Sequence, residues 1–453
     1  MIRTVLLLLA LFAPIGRAAA SPPTFFHATL LSSEPAAKAT LTTSPTRIRL
    51  VFSEEIEPSL GRIRLVAPDG SVTTLKQTGD PHDVSALIAP ITSPLGPGVY
   101  RVQWRIVSED GHPIDGTYAF TVAPSASSAS STPTATAPAP SGATAAATAE
   151  PPHAPAEAEA TAGGTTDTDT GTGTTLAEVP AVPAALRGLA VGALTAFAGL
   201  LGFLVTRRSP APQPRASRLV HRLAIATAIL VPLHFLAWAL AVSPDHSLGG
   251  DTIAALLASG PGKVELGRTV LALLAAWALL LVRRERLALV IAAVAILAGS
   301  AVGHSAAIHP EWGIPGRALH LIAVAAWLGG LLWLVTLDHA DPRTAIDEAH
   351  RTSSIALTAV FVVIFSGVVQ TRLFLPVWGD LVRSPYGLIV LAKVAGVGVL
   401  ILFGAYHRFR VLPRLTEVAV AEGFPVSLRR EIAVMSLLVL LGGLLAHLSP
   451  PMH

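Results

Sequence analysis

The spacing of hydrophobic and polar residues changes three times along the chain. From Met1 to Ala20, Arg3 precedes the apolar run VLLLLALFAPIG and the small residues Ala18, Ala19 and Ala20, the arrangement of a secretory signal peptide cleaved before Ser21. Between His27 and Val122 apolar and polar residues alternate in short runs: RIRLVF from Arg47, RIRLVA from Arg62, VYRVQWRIV from Val99 and GTYAFTV from Gly116. Turn residues such as Pro68-Asp69-Gly70 and Gly96-Pro97-Gly98 separate them. Alternation places every second side chain on one buried face, and about seven such strands with no helical period predict a small antiparallel β-sandwich of immunoglobulin-like outline, with Trp104 in its core.

Residues 123–183 are rich in Ala, Thr, Pro, Ser and Gly and nearly free of large apolar side chains, which predicts a flexible tether. At about sixty residues its mean reach is on the order of 40 Å, enough for the sandwich to visit a membrane surface. His153 falls within it and is read as a bystander. From 184 to 449 long apolar runs alternate with short polar loops. They predict an all-α polytopic membrane bundle of about eight spans, near 184–206, 219–242, 264–282, 287–303, 317–337, 352–374, 386–406 and 430–448.

Composition agrees with that division. Hydrophobic residues make up 51% of the chain and charged residues only 13%, and the mean hydropathy is +0.59, values that place most of the chain in lipid. A net charge of +3 with arginines between apolar runs gives no basis for nucleic-acid binding. The absence of cysteine removes disulfides, thiolate metal sites and CxxC chemistry, leaving His, Met and carboxylates for any transition-metal site. No P-loop and no DKTG motif occurs, so transport driven by this chain's own nucleotide hydrolysis is excluded, as is nucleotide binding. Nor does any motif mark the chain as an enzyme.

With the sandwich outside, the first span runs inward. The proposed inner loops then hold Arg207, Arg208, Arg215, Arg218, Arg283, Arg284, Arg286, Arg343, Arg351, Arg408, Arg410, Arg414, Arg429 and Arg430, against chiefly Lys263, Arg372 and Arg383 outside. This topology puts His246, His304, His309 and His453 in outer loops or at the outer end. It puts His320 in the first outer turn of span five, His234 in the outer half of span two and His447 near the outer end of span eight. Around span five the stretch GHSAAIHPEWGIPGRALHLIAVAAWLGG sets three histidines, His304, His309 and His320, at the mouth of an apolar helix. Imidazole is costly in hydrocarbon without a partner, so an outward cluster of this kind is expected to be a metal vestibule. His320 and Trp327, seven apart, share a helix face, and Gly329 and Gly330 allow close helix approach. Lys393, about seven residues into span seven, is a further functional candidate. The rival reading is a b-type haem protein, for which His234 and His320 form the one plausible axial pair; a third is metal storage or sensing without transport.

Three segments, HATLLSSEPA, LVFSEEIEPSLGRIRLVAPDG and YRVQWRIVSEDGHPIDGTYAFTV, resemble the CopC family of periplasmic copper-binding β-sandwiches across 27–122. The resemblance implies that His27, Asp110 and His112 hold Cu(II), a ligand set that suits that ion. On an extended chain Asp110 and His112 would point to the same side. Two features depart from the family: SPPTFF precedes His27, and the domain holds no methionine for a thioether site. VGHSAA, RALHLIAVAAWLGGLLWL, LAKVAGVGVLILFGAYHRFRVLPRL and RREIAV resemble the CopD family of membrane copper-resistance proteins. Together the resemblances imply a CopC–CopD fusion in the bacterial cytoplasmic membrane, multi-pass, with the N-terminal domain and C-terminus on the periplasmic side. Copper ions, membrane lipid and a periplasmic copper chaperone are the partners implied, and copper homeostasis or resistance by transport, uptake in the first place, is the expected role.

Overall fold

The computed structural model describes residues 28–108, 111–124, 181–208, 212–303, 306, 310–337, 342–375, 377–448 and 450–451. The expected signal segment, most of the expected tether, and His27, Asp110, His153, His304, His309, His339 and His453 lie outside the described residues.

Among the described residues, nine strands form two packed sheets. They are β1 (Leu30–Glu34), β2 (Thr40–Leu41), β3 (Arg47–Phe52), β4 (Arg62–Val66), β5 (Val72–Leu75), β6 (Thr78–Asp80), β7 (Asp83–Pro90), β8 (Gly98–Val107) and β9 (Pro113–Val122). One sheet has the order β1-β3-β7-β6 and the other β2-β9-β8-β4-β5. Alternation works as anticipated: in β3, Ile48, Leu50 and Phe52 are buried while their neighbours face outward. The sandwich is not wholly antiparallel, because β2 joins the edge beside the end of β9 in parallel. Trp104 fills the core edge-on to Phe52, with ring centroids 5.1 Å apart. Its cross-strand partner is Gly116, where an added Cβ would lie 2.4 Å from the indole. Glycine is therefore the residue that admits this tryptophan.

The second part is helical: α1 (Ala181–Val205), α2 (Pro214–Val242), α3 (Gly250–Ala258), α4 (Gly260–Leu280), α5 (Glu285–Gly299), α6 (Pro310–Thr336), α7 (Pro342–Phe374), the single turn α8 (Asp380–Arg383), α9 (Pro385–Tyr406) and α10 (Val418–Leu445). A helix falls on each of the apolar runs read from the sequence, but not every one has the length and composition of a span. Five stretches, Ala181–Val205, Pro214–Val242, Pro310–Thr336, Ile346–Phe374 and Pro385–Arg414, are long and apolar enough to cross a membrane. Among the others, α5 has only 15 residues, and α4 and α10 carry internal charges such as Glu265, Arg268 and Glu431. Large apolar side chains such as Leu281, Leu402 and Phe409 point out of the bundle, as a lipid-facing surface requires.

Backbone contact at glycines holds the bundle's centre. On α1, a Cβ at Gly199 would fall 1.9 Å from the carbonyl oxygen of Ala325 on α6, and one at Gly329 would fall 2.2 Å from the Gly199 backbone. The close approach expected of Gly329 is thus made against α1. Trp327 is buried in the same core.

One boundary differs from expectation and moves a candidate residue. Span five was placed from 317, but α6 begins at Pro310, a residue suited to the first helical turn. His320 therefore lies about three turns inside the helix rather than in its first outer turn.

Candidate metal centre

The sandwich sits on one end of the bundle, and the hairpin turn between β8 and β9 makes the contact. Gly111 N donates to Ser108 O at 2.9 Å and Ser108 N to His112 O at 3.1 Å, closing a tight turn. Gly111 has φ +86, a left-handed turn conformation in place of the extended one expected there; the short route from β8 back to β9 demands such a residue. The glycine's bare face meets Trp238 of α2 and Pro261 of α4, and Trp238 Nε1 donates to Gly111 O at 3.1 Å.

Around this turn the interface combines an apolar patch with polar links. Leu60 and Val107 of the sandwich are buried together with Ala239, Val242 and Leu256, the last on α3. The stretch 250–258, between the spans expected near 219–242 and 264–282, is helical and supplies part of the sandwich's platform. Arg105 Nη2 donates to Ala241 O at 2.7 Å and Arg62 Nη1 to Pro244 O at 3.2 Å. Asp245 pairs with Arg62, and with Arg64 at 3.6 Å. The Arg62 hydrogen bond holds the Asp245 carboxyl below the usual carboxylate range. Glu57 accepts from Gly260 N at 2.8 Å, at the N-terminus of α4, where the helix dipole favours an anion.

His112 faces the end of α10. Its Nε2 is 2.9 Å from Ala446 O, a carbonyl that can only accept, so Nε2 carries the proton. The His447 ring stands edge-on to it with centroids 6.0 Å apart. His447 Nδ1 in turn donates to Gly443 O at 2.9 Å.

Deeper between α2 and α4 is a buried polar cluster absent from the sequence reading apart from its histidine. Arg268 Nη2 lies 2.6 Å from Glu265 Oε2 and 2.8 Å from His234 Nδ1, and the three residues are 2–4% exposed. Arginine has only donors, so His234 Nδ1 accepts and the neutral ring bears its proton on Nε2. A cavity of about 20 Å³, room for about one water, lies beside Arg268 and Arg317. An i,i+3 acid–base pair inside an otherwise apolar run was the available signal for Glu265 and Arg268.

His320 is held differently. Ser366 on α7 donates to Val362 O at 2.6 Å, and a hydroxyl has one proton, so its oxygen accepts from His320 Nδ1 at 2.9 Å. The assignment leaves the unprotonated Nε2 as the ring's donor atom toward a metal. Lys393 Nζ lies beside the open face of Gly442 on α10. At the other end of the bundle His407 contacts Glu431 at 3.1 Å and Ser427 at 2.7 Å. There too, Glu348 accepts from Trp333 Nε1 at 3.1 Å and pairs with Arg351 at 3.1 Å. Among the described residues no three His or carboxylate groups converge to hold a metal ion.

Comparison with known proteins assigns both parts. Residues 30–123 match the CopC domain and residues 348–445 match Copper resistance protein D. Protein YobA of Escherichia coli (strain K12) is 37% identical over 103 residues, 22% of this chain and 83% of that protein. Copper resistance protein C of Xanthomonas campestris pv. juglandis is 33% identical over 114 residues, 24% of this chain and 89% of that protein. Copper transport protein CutJ of Bacillus subtilis (strain 168) is 24% identical over 433 residues, spanning 89% of this chain and 70% of its own.

A β-sandwich resting on a bundle of apolar helices, with relatives of this kind on both sides, defines a multi-pass membrane protein that handles copper. The chain belongs to the CopC family through its sandwich and continues into a CopD domain, and is a CopC–CopD fusion.

Proposed function

We propose that the sandwich captures Cu(II) through His27, Asp110 and His112 at the outer face of the bacterial cytoplasmic membrane, and that the bundle, crossing it eight times, carries copper inward. The observation that carries this reading is the seat of the His112 turn, against the bundle end that holds Trp238, Pro261 and Ala446. The C-terminal ends of α2 and α10 and the N-terminal end of α4 meet the sandwich, and these are the ends that an exported N-terminus and the arginine distribution put on its side. Copper's donor preferences fit the candidate ligands: imidazole and carboxylate for Cu(II) in the sandwich, imidazole on the way in. His304, His309, His320, Trp327 and Lys393 remain the proposed pathway, and a periplasmic chaperone is the proposed source of the ion.

His234 fits the pathway less well, because its Nδ1 accepts from Arg268 and its Nε2 bears the proton. The same tautomer weighs against the haem reading, since an axial imidazole uses an unprotonated nitrogen and His234 would have to shed the Arg268 bond. Purified protein is expected to show no Soret absorption.

The test is total copper in cells with and without the protein, grown in the same copper. Uptake raises it. A fall would reverse the direction, and no change would favour storage or sensing.

A further inference from the structure

We infer that His447, at the C-terminal end of α10, is a copper ligand that the bundle contributes to the docked sandwich, so that the ion passes between domains by exchange from His112 to His447. The inference rests on the reading of the sandwich as the copper-loaded domain, and deepens it by naming the receiving atom.

Geometry supports a shared ion. With a metal–nitrogen bond of about 2.0 Å and a ring centroid about 1.2 Å behind each nitrogen, two imidazoles on one ion stand roughly 4.5–6.4 Å apart, from a right angle to a straight line at the metal. The His112 and His447 centroids are 6.0 Å apart. Both rings are aimed by backbone carbonyls of the same helix end: His112 Nε2 donates to Ala446 O and His447 Nδ1 to Gly443 O. In neutral rings those donations fix the metal-binding nitrogens as His112 Nδ1 and His447 Nε2. The transfer is a ligand exchange in which a copper–nitrogen bond to His112 breaks as one to His447 forms. No electron moves, and no proton leaves either ring.

The interface explains why the two rings meet. Trp238 clasps the turn one residue before His112, and Glu57, Arg62 and Arg105 fix the sandwich's orientation through α4, the segment after α2 and the last turn of α2. Gly443 packs against the backbone of Gly188 on α1, so the end of α10 is anchored too.

The experiment uses the full chain in detergent micelles with one equivalent of Cu(II), read by pulsed EPR, which counts the imidazoles coupled to the ion. The parent is expected to show one more coupled imidazole than His447→Ala or His447→Asn. Identical spectra in parent and variants would overturn the assignment. The asparagine variant keeps an amide able to donate to Gly443 O, so it carries the test if His447→Ala fails to fold. In proteoliposomes both variants should move copper at least about tenfold more slowly than the parent; movement at the parental rate would overturn the transfer role. A parent that moves no copper would count against the transport reading, and the EPR comparison would still decide whether His447 is a ligand.

Discussion

Arg268 holds His234 Nδ1 at 2.8 Å while its same Nη2 holds Glu265 at 2.6 Å, so one guanidinium nitrogen serves two partners inside the bundle. A buried carboxylate that loses its cation is left with the whole cost of desolvation, whereas removing both charges together is often neutral. Arg268→Met should destabilise the protein by roughly 3–5 kcal/mol, and adding Glu265→Met should recover most of that loss. Thermal unfolding of the parent and the two variants in detergent measures it; equal losses in the single and double variants would contradict the account.

The limits of the sequence show at that cluster. Alternation made the sandwich legible because a half-buried strand imposes a period of two, and apolar length made the helices legible because the bilayer sets it. Neither rule reports which charges meet. Glu265 and Arg268 stood in plain view inside span three, but their link to His234 depends on how α2 packs on α4. The depth of His320 was misjudged because Gly313, Pro315 and Gly316 read as loop, whereas the chain turns helical from Pro310. The bend at Gly111 was hidden because an Asp-Gly-His tripeptide fits an extended strand as well as a turn; the left-handed φ of +86 shows only once β8 and β9 are paired.

Gly111 offers a second prediction. An alanine there must adopt a left-handed backbone, at a cost of about 1–2 kcal/mol. Its Cβ would meet Pro261 at 3.4 Å and Trp238 Nε1 at 3.6 Å, ordinary contacts, so the backbone strain carries the effect. Gly111→Ala should loosen the sandwich from the bundle without unfolding either. Hydrogen exchange then rises at the Gly260 amide, which Glu57 protects, while the amides of β3 and β7 stay protected. Unchanged exchange at Gly260 would show that the turn does not govern docking.

Docking should also depend on pH and salt. The Arg62 hydrogen bond depresses the Asp245 carboxyl in the docked state relative to an exposed aspartate near about 3.9. A depressed carboxyl contributes above its undocked value, and that contribution is lost as pH falls through the docked one. Protection of the Gly260 amide relative to its intrinsic exchange rate should therefore fall as pH is lowered below about 4, and with added salt at neutral pH, because Asp245 is exposed enough to be screened. Asp245→Asn removes the dependence on Asp245 protonation. An acid response of equal size in that variant would assign it to another group.

The last prediction concerns how His320 is presented. Ser366 spends its proton on Val362 O and so must accept from His320 Nδ1, which keeps Nε2 as the atom offered to a passing ion. Partners that fix a ligand's tautomer typically contribute about 10–100-fold to metal affinity or activity. If copper passes His320, then Ser366→Ala should slow copper movement into proteoliposomes by about tenfold, with Ser366→Thr close to the parent because it keeps the hydroxyl, and His320→Ala should nearly abolish it. Cu(II) capture by the sandwich should be unchanged in all three, since Ser366 and His320 lie on α7 and α6 within the bundle and outside the sandwich contact. The decisive comparison is alanine against threonine at 366: equal rates would mean that the hydroxyl does not position the imidazole, whatever His320→Ala does.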